Sequence, residues 1–213
     1  MNPTRLPFHH TGTAGCLDSG GGLPEYGRID KGVGECDAER MAWLAHFGEK
    51  TPLQGGCVLA IGNFDGVHAG HRHLLGVARA EALARGLPLV VLTFEPHPRS
   101  VLRPDMPLKR LTTLEEKAAL LGKAGVDGVA VLGFTPEVAG WAPEMFIRDI
   151  LWEWLGVEVV CVGENFRFGR KAAGDVALLA ADTRFATRAV ALLVDEDGIV
   201  SSSRLREGRL RGV

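Results

Sequence analysis

Residues 57–71 read CVLAIGNFDGVHAGH, an apolar run followed by a turn and then by two histidines three positions apart. The run CVLAI is short and continuously apolar, which predicts a strand buried on both faces. Gly62 and Gly66 allow the chain to turn tightly after that strand. His68 and His71 then fall at the start of the next helix. This stretch predicts the strand–turn–helix unit of an α/β domain.

The alternation of apolar strands and amphipathic helices continues along the chain. Further strands are predicted at PLVVLTF, VDGVAVLGF, VEVVCVG and RAVALLV, and a capped helix is predicted at SSSRLREGRL. Five such strands joined by helices predict an α/β fold with a doubly wound, five-stranded parallel sheet. Ligands bind such sheets beyond the carboxyl ends of the strands, where the strand order reverses. The polar motifs of this chain fall at those positions.

The chain before residue 57 is expected to contribute little to the domain. Residues 1–37 are rich in glycine and lack periodicity, so we predict a flexible N-terminal arm. Residues 38–56 contain AERMAWLAHF, in which Met41, Leu44 and Ala45 share a helical face, so we predict a short helix and a linker there. The globular domain is expected at residues 57–213.

The composition argues against several classes of protein. The chain has 213 residues, is 46% hydrophobic and 23% charged, and has a net charge of −2. This is typical of a soluble globular domain and gives no electrostatic reason to expect a nucleic-acid partner. No apolar run approaches the ~18 residues of a membrane span, and no secretory signal is visible, so a cytoplasmic location is expected. The four cysteines are not spaced as metal-binding pairs, which favours free thiols.

The two histidines of the first motif favour phosphate binding. A spacing of three places the imidazoles of His68 and His71 on one face, and the amides at a helix start attract anions. The absence of a side chain at Gly70 would let a phosphate reach the backbone between the rings. A zinc site would need a third ligand, and His73 lies elsewhere on the helix. Metal ligation and functionless surface histidines remain alternatives at this point.

Three further stretches have the residue types of a binding site. TFEPHP at residues 93–98 is stiffened by two prolines, although it could be only a rigid loop around a surface His97. GENFRFG at residues 163–169 joins an amide to two phenylalanines, which suits either a heterocycle with polar edges or the core. SSSRLR at residues 201–206 offers hydroxyls and arginines to a phosphate, or a simple serine cap to a helix.

Together these motifs resemble a known enzyme family. GNFDGVHAGH at residues 62–71 is similar to the nucleotide-binding motif of the FMN adenylyltransferase (FAD synthetase) module of bacterial bifunctional riboflavin kinase/FAD synthetases. His-x-Gly-His alone would indicate only the wider nucleotidyltransferase superfamily. The family's later motifs are resembled, in the same order, at residues 93–98, 110–117, 163–169 with Gly174-Asp175, and 201–206. The resemblance covers about residues 57–208.

The resemblance implies a Rossmann-like nucleotidyltransferase domain that transfers AMP from ATP to FMN, giving FAD and pyrophosphate. Mg²⁺ would be carried on the ATP, with no metal site built by the protein and with small molecules as the partners. His68 and His71 would hold the α- and β-phosphates, and Asn165 would orient the flavin or the phosphates. The implied nucleotide-binding residues are Gly62, Asn63, Phe64, Asp65, Gly66, Gly70, Ser201, Ser202, Ser203, Arg204 and Arg206. The implied flavin-binding residues are Phe94, Pro96, Pro98, Leu102, Asn165 and Phe168.

The chain departs from the family pattern at three places. Ser203 replaces a threonine, which keeps the hydroxyl, and Leu102 stands where many relatives carry an aromatic residue. The sequence stops at Val213 without the kinase module, as either a stand-alone adenylyltransferase or part of a longer protein. Two other functions stay open. One is a nucleotidyltransferase with a different phosphorylated acceptor, and the other is a non-catalytic flavin- or nucleotide-binding protein.

Overall fold

The computed structural model describes residues 42–106, 108–196, 198–206 and 208. The predicted N-terminal arm at residues 1–37 lies outside these residues, as does the beginning of the helix predicted after it. The strands of the described chain are β1 (Trp43–His46), β2 (Cys57–Ile61), β3 (Leu89–Glu95), β4 (Gly128–Gly133), β5 (Val157–Gly163), β6 (Arg167–Phe168), β7 (Gly174–Asp175), β8 (Ala186–Val190), β9 (Val194–Asp195) and β10 (Gly198–Ile199).

Helices connect most of these strands. They are α1 (Ala69–Arg85), α2 (Pro98–Leu102), α3 (Leu114–Lys123), α4 (Pro136–Ala139), α5 (Pro143–Met145), α6 (Val176–Ala181) and α7 (Ser202–Arg206). A π-helical segment, Phe146–Trp154, continues from α5, and a 3-10 turn occupies Arg170–Ala172. The helical stretch that begins at Pro143 therefore has mostly the wider π geometry. Within the described residues, none of the helices combines the length and the apolar character needed to cross a bilayer.

A six-stranded parallel sheet has the order β1-β4-β3-β2-β5-β8. The short pairs β6–β7 and β9–β10 are antiparallel hairpins outside it. The chain passes from β2 to β3 on one side and later to β5 on the other side, so the strand order reverses at β2. The doubly wound α/β architecture is confirmed, and the predicted count of five strands is wrong by one. In doubly wound sheets ligands bind in a crevice at such a reversal, which here corresponds to the carboxyl end of β2, between the ends of β3 and β5.

The additional strand is β1, in the segment predicted to be a short helix. Trp43–His46 pairs in parallel with β4, and its burial alternates, with Ala45 buried and Leu44 exposed. The helical prediction was wrong because the Ala- and Leu-rich local sequence favours a helix, whereas the edge of β4 offers hydrogen-bond partners that no local pattern reveals. The sheet therefore starts upstream of residue 57. The last strand of the sheet is also shifted, because β8 ends at Val190 and the rest of RAVALLV leads into β9.

Helices cover both faces of the sheet. On one face, Leu75 and Ala78 of α1 and Leu121 of α3 pack against the strands. On the other face, Ile150 and Leu151 of the π-helical segment do so. Residues of β2 alternate between these two layers and are all buried, which explains the continuously apolar run. Side chains cap the starts of α1, α2, α3, α4 and α6, and at α3 Thr113 and Glu116 form a capping box.

Candidate functional site

The loop between β2 and α1 occupies the point where the strand order reverses. Three of its residues have left-handed backbones, with φ values of 48° at Phe64, 81° at Gly66 and 35° at Val67. Such values are costly for side chains other than glycine, and they persist where the surroundings hold the loop. The Phe64 ring is fully buried, and a Cβ on Gly66 would lie 2.9 Å from a methyl group of Leu111. The loop is thus locked against the segment before α3.

Asp65 joins three distant parts of the chain. Its side chain is buried, and Oδ1 accepts hydrogen bonds from the amides of Leu111 and Thr112, both at 3.0 Å. Its other oxygen, Oδ2, pairs with the guanidinium of Arg206. The hydroxyl of Ser202 donates to the backbone carbonyl of Asp65 at 3.1 Å. The motifs at residues 62–71, 110–117 and 201–206 therefore meet around one carboxylate.

The surroundings keep Asp65 ionised. Burial alone would raise its pKa, but the hydrogen bond from Arg206 and the amides of Leu111 and Thr112 outweigh burial and lower the pKa. Arg206 has only one of its two terminal nitrogens in this pair, and its Nε donates to the carbonyl of Lys109 at 3.0 Å. The guanidinium has five N–H groups, so others remain for an anion.

His68 and His71 stack on each other at the start of α1. Their ring centroids are 3.7 Å apart, and Nδ1 of His68 accepts a hydrogen bond from the His71 amide at 3.4 Å. A neutral His68 with this contact carries its proton on Nε2, which makes Nε2 a donor. In the described part of the chain, Nδ1 of His71 is buried without a hydrogen-bond partner. The two rings can offer N–H groups to a bound anion.

Both histidines are neutral at pH 7. Burial, with the charges of Arg206 and Arg72, lowers the pKa of His68 to about 4. Burial and the neighbouring His68 lower the pKa of His71 to about 3. Gly70 lies between them, and a Cβ there would be 3.0 Å from the Val200 carbonyl oxygen and 3.2 Å from the His68 ring. The missing side chain at Gly70 therefore lets the segment before α7 approach α1.

The serines and arginines of the last motif separate into two groups. Ser202 and Arg206 contact Asp65, whereas Ser201 accepts a hydrogen bond from the Arg204 amide and so caps α7. The Arg204 guanidinium donates to Asp195 at 2.7 Å and to the Gly198 carbonyl at 2.9 Å, so it is held on the β9–β10 hairpin. The Ser203 side chain is exposed. Of the predicted phosphate-binding residues in this motif, the structure gathers Ser202 and Arg206 around Asp65.

The predicted flavin-binding residues fall into two groups on either side of β2. The group at the end of β3 is the β3 wall, and the group after β5 is the β5 wall. On the β3 side, Phe94 packs edge-on against Phe134, and Pro98 is half-buried at the start of α2. Pro96 is exposed and Leu102 is 62% exposed. Because β3 and β5 both neighbour β2, the carboxyl ends of β3 and β5 lie about 10 Å apart.

The second wall follows β5. Phe168 is buried and stacks on Phe166 with ring centroids 5.6 Å apart, while the Asn165 side chain is exposed. Gly62 at the end of β2 lies between the two walls, and a Cβ there would be 3.0 Å from the Phe64 ring. Asn63, the next residue, is half-buried and accepts a hydrogen bond at its backbone carbonyl from Thr93. A planar heterocycle between aromatic walls suits such a crevice.

Several residues of the site were not predicted. Lys117 of α3 is buried and its Nζ donates to Thr93 Oγ1 at 3.0 Å. Glu95 forms a two-fold pair with Arg110, at 2.6 Å for each contact. His97 caps α2 through Nδ1, and burial and the charge of Arg206 lower its pKa to about 4. For Lys117 the sequence contained a signal of burial, since position 117 lies on the apolar face of α3 formed by positions 114, 118 and 121.

Groups of three or more His, Cys, Asp or Glu side chains that could hold a metal ion are absent from the described residues. Cys57 and Cys161 are buried free thiols. Burial raises the pKa of each to about 12, which makes them poor nucleophiles and metal ligands. The polar chemistry of the crevice therefore rests on the imidazoles, Asp65, the arginines and the backbone.

Comparison with known proteins identifies the family. The sequence pattern described as FAD synthetase matches residues 50–204, which is more than two thirds of the chain. The chain belongs to the FAD synthetase family. The family match includes the loop after β2, the Phe94 and Phe168 walls, the segment that binds Asp65 and the start of α7.

Curated relatives in this family carry the name bifunctional riboflavin kinase/FMN adenylyltransferase. The protein of Escherichia coli K12 is 45% identical over 126 residues, which cover 59% of this chain and 40% of the relative. The protein of Pseudomonas fluorescens is 39% identical and that of Listeria monocytogenes 37% identical, each over 158 residues that cover 73% of this chain and 50% of the relative. The chain thus spans at most about half of the length of these relatives.

A solved structure shares the fold. A crystal structure entitled macrolide-efflux protein, from Streptococcus pneumoniae, superposes with a TM-score of 0.65 at 25% identity, over 73% of this chain and 51% of that one. The FAD synthetase family of this chain therefore rests on the sequence match, and the superposition supports the nucleotidyltransferase-like α/β fold.

Proposed function

We propose that this chain is an FMN adenylyltransferase, which transfers AMP from ATP to FMN and releases pyrophosphate and FAD. Membership of the FAD synthetase family and the names of the relatives support this activity. The observation that carries the proposal is the meeting of three motifs around the buried carboxylate of Asp65. That meeting places stacked neutral imidazoles, a partly engaged arginine and a serine at the sheet's reversal point.

The proposed reaction is a direct displacement at phosphorus. A phosphate oxygen of FMN attacks the α-phosphorus of ATP, a new oxygen–phosphorus bond forms, and the bond to the bridging oxygen breaks. The bonding electrons leave with pyrophosphate. A covalent bond to the protein is not required, so the residues contribute by positioning the substrates and stabilising charge.

His68 and His71 are proposed to bind the α- and β-phosphates as neutral donors. Both imidazoles are neutral at pH 7, because burial lowers the pKa of each far below that pH. A neutral donor offers a hydrogen bond to the phosphate without giving up its proton as the charge moves. The amides at the start of α1 add the partial positive charge of a 17-residue helix.

Arg206 and Ser202 are proposed to contact the leaving pyrophosphate, with the Ser202 hydroxyl exchanging its bond to the Asp65 carbonyl for one to a phosphate oxygen. Asp65 orients the Arg206 guanidinium, and the N–H groups that Asp65 and Lys109 do not use can bind phosphate oxygens. We assign Ser201 and Ser203 to the surroundings of this position. Arg204 is proposed to act indirectly, by fixing the β9–β10 hairpin beside the site.

The flavin is proposed to lie between the β3 and β5 walls. Phe94, Pro96 and Pro98 would face one side of the ring and Phe168 would support the other, with the exposed amide of Asn165 free to bind a polar edge. Leu102 would cover less of the ring than an aromatic side chain. Mg²⁺ is proposed to arrive on the ATP phosphates, keeping most of its waters.

The test is to incubate the protein with FMN, ATP and Mg²⁺ and to separate the flavins by chromatography. We expect FAD and pyrophosphate in equal amounts, and neither when Mg²⁺ is chelated. A nucleotidyl product that forms only with another phosphorylated acceptor would replace the proposal by that transfer. Flavin that is bound but unchanged would show a binding protein without turnover.

A further inference from the structure

Lys117 is a buried cation directly beneath the candidate site. Its side chain lies on the inner face of α3 and the residue is 2% exposed. Its ammonium donates one described hydrogen bond, to Thr93 Oγ1 at 3.0 Å. Burying an ammonium group is expensive unless an anion or several hydrogen bonds compensate it. A lysine in this position therefore needs an explanation.

The acidic side chains near Lys117 already have other partners. Its charge interacts over longer distances with those of Glu95 and Asp65, but Glu95 is paired with Arg110 and Asp65 with Arg206. Among the residues that the structure describes, no carboxylate lies within ion-pair distance of the Lys117 ammonium. The two arginine pairs are each neutral overall. Lys117 is therefore a buried cation without a paired carboxylate among the described residues.

This charge is coupled to the loop that would hold the phosphates. Thr93 Oγ1, which accepts from Lys117, donates in turn to the backbone carbonyl of Asn63 at 3.1 Å. Asn63 lies in the loop between β2 and α1. The charge also reaches the imidazole layer, because Lys117 is among the groups that lower the pKa of His71, after burial and His68.

We infer that Lys117 supplies the uncompensated positive charge that attracts a polyphosphate to this site, and that it also positions the β2–α1 loop through Thr93. The inference deepens the proposed function, because ATP or pyrophosphate is the anion that would compensate the ammonium. Lys117 acts here as an electrostatic positioning residue. Its partner anion is expected only with bound nucleotide, which explains a buried lysine without a carboxylate.

The stability of Lys117 variants separates this role from a purely structural one. Replacing a lysine that only supports the fold should lower the melting temperature. Replacing a buried ammonium that lacks an anion removes a desolvation cost, so the melting temperature without ligand should stay the same or rise. Nucleotide binding should weaken instead. At an effective dielectric constant of about 20, one unit charge about 10 Å from a phosphate changes affinity by roughly tenfold or more.

The experiment compares four variants by the melting-temperature shift that Mg²⁺–ATP produces without FMN. Lys117→Met removes the charge and the hydrogen bond, whereas Lys117→Gln removes the charge and keeps a donor for Thr93. Thr93→Val keeps the charge and removes the hydroxyl. Lys123→Met is the matched control, since Lys123 is an exposed lysine of the same helix.

We expect Lys117→Met and Lys117→Gln to bind ATP about tenfold more weakly, with unchanged or raised melting temperatures and with FMN affinity within about threefold of the parent. Lys123→Met should match the parent. Parent-like ATP binding in Lys117→Gln would overturn the inference, and if Lys117→Met does not fold the Gln variant decides alone. A parent that binds ATP but forms no FAD would contradict the proposed function only, because the ATP shift still tests Lys117.

Discussion

Two carboxylate–arginine pairs lie at the carboxyl edge of the sheet, and they differ in burial. In the Asp65–Arg206 pair the side chains are 3% and 13% exposed, and in the Glu95–Arg110 pair they are 25% and 36% exposed. Asp65 also accepts from two backbone amides. Glu95 follows Phe94 at the end of β3, and its side chain pairs with the two terminal nitrogens of the Arg110 guanidinium.

The same chemistry therefore has two roles. Asp65 and Arg206 are 141 positions apart, so their pair fixes the last helix onto the first loop. Glu95 and Arg110 are 15 positions apart, and their pair connects β3 to the segment just before α3. Breaking a buried pair leaves a desolvated charge, whereas an exposed pair can exchange its partner for water. Burial, and not the type of pair, should set the energetic importance of each.

The largest expected effect comes from Asp65→Asn. The substitution preserves the shape but leaves the guanidinium of Arg206 buried without its carboxylate. We expect a loss of about 3–5 kcal/mol in the free energy of unfolding, measured by urea denaturation. FAD formation should also fall, because Arg206 loses its orientation. A loss below about 1 kcal/mol would show that the two pairs are equivalent after all.

His71→Ala should have the next largest effect, and it should act on turnover. Nδ1 of His71, which lacks a hydrogen-bond partner among the described residues, is expected to gain one only when phosphate binds. Removal of one such donor typically lowers turnover by ~10²–10³-fold. The FMN affinity should stay close to that of the parent, because the flavin walls are intact. Turnover within a few-fold of the parent would remove His71 from the reaction.

A smaller effect on the free energy of unfolding is expected when the pH is lowered. The unfolded chain binds protons at its histidines below about pH 6.5, whereas burial lowers the pKa of folded His71 to about 3. The contribution of His71 to stability is therefore complete above pH 6.5 and declines as the pH falls from there towards 3. The slope is about 1.4 kcal/mol per pH unit for one histidine.

Urea denaturation at pH 7 and pH 5 measures this slope. His71→Gln should lose less stability than the parent between these values, since it lacks one of the titrating groups. The pKa of Asp65 is lowered from its ordinary 3.8, so its own contribution is lost only at lower pH, outside this range. Equal losses in parent and variant would contradict the assignment of a buried neutral imidazole.

Glu95→Gln should have the smallest effect. The exposed pair with Arg110 contributes at most about 1 kcal/mol, and less at high salt. We expect the unfolding free energy to change by no more than that amount. The difference between parent and variant should shrink as the salt concentration rises from about 0.05 M to about 0.5 M. A loss of unfolding free energy as large as that for Asp65→Asn would show that burial does not set the energetic importance of the two pairs.

Much of the architecture could be predicted because it depends on local patterns. The buried strands are continuous apolar runs, and Thr113 with Glu116 marks a helix start by its spacing. The first motif was placed correctly after a strand, since glycines and a helix start are visible in the sequence. The strand at Trp43–His46 could not be predicted, because it exists only through pairing with β4.

The partners of the charged residues could not be predicted either. The sequence offers Arg204 and Arg206 as equivalent arginines, yet one binds the β9–β10 hairpin and the other binds Asp65. That choice depends on how α7 is oriented relative to a loop 137 or more positions earlier. Lys117 is similar, because its contact with Thr93 joins two elements whose distance only the folded chain defines.

The parallel edge strand β1 has a consequence for handling the protein. It covers β4, whose sequence GVAVLG is apolar and uncharged, and the Trp43 ring lies over Gly128, where an added Cβ would be 2.1 Å away. Without β1, that strand would present an open row of amides and carbonyls to other molecules, which is a template for aggregation. A shortened chain that starts at residue 38 retains this cover, whereas one that starts at residue 57 would expose a self-associating edge.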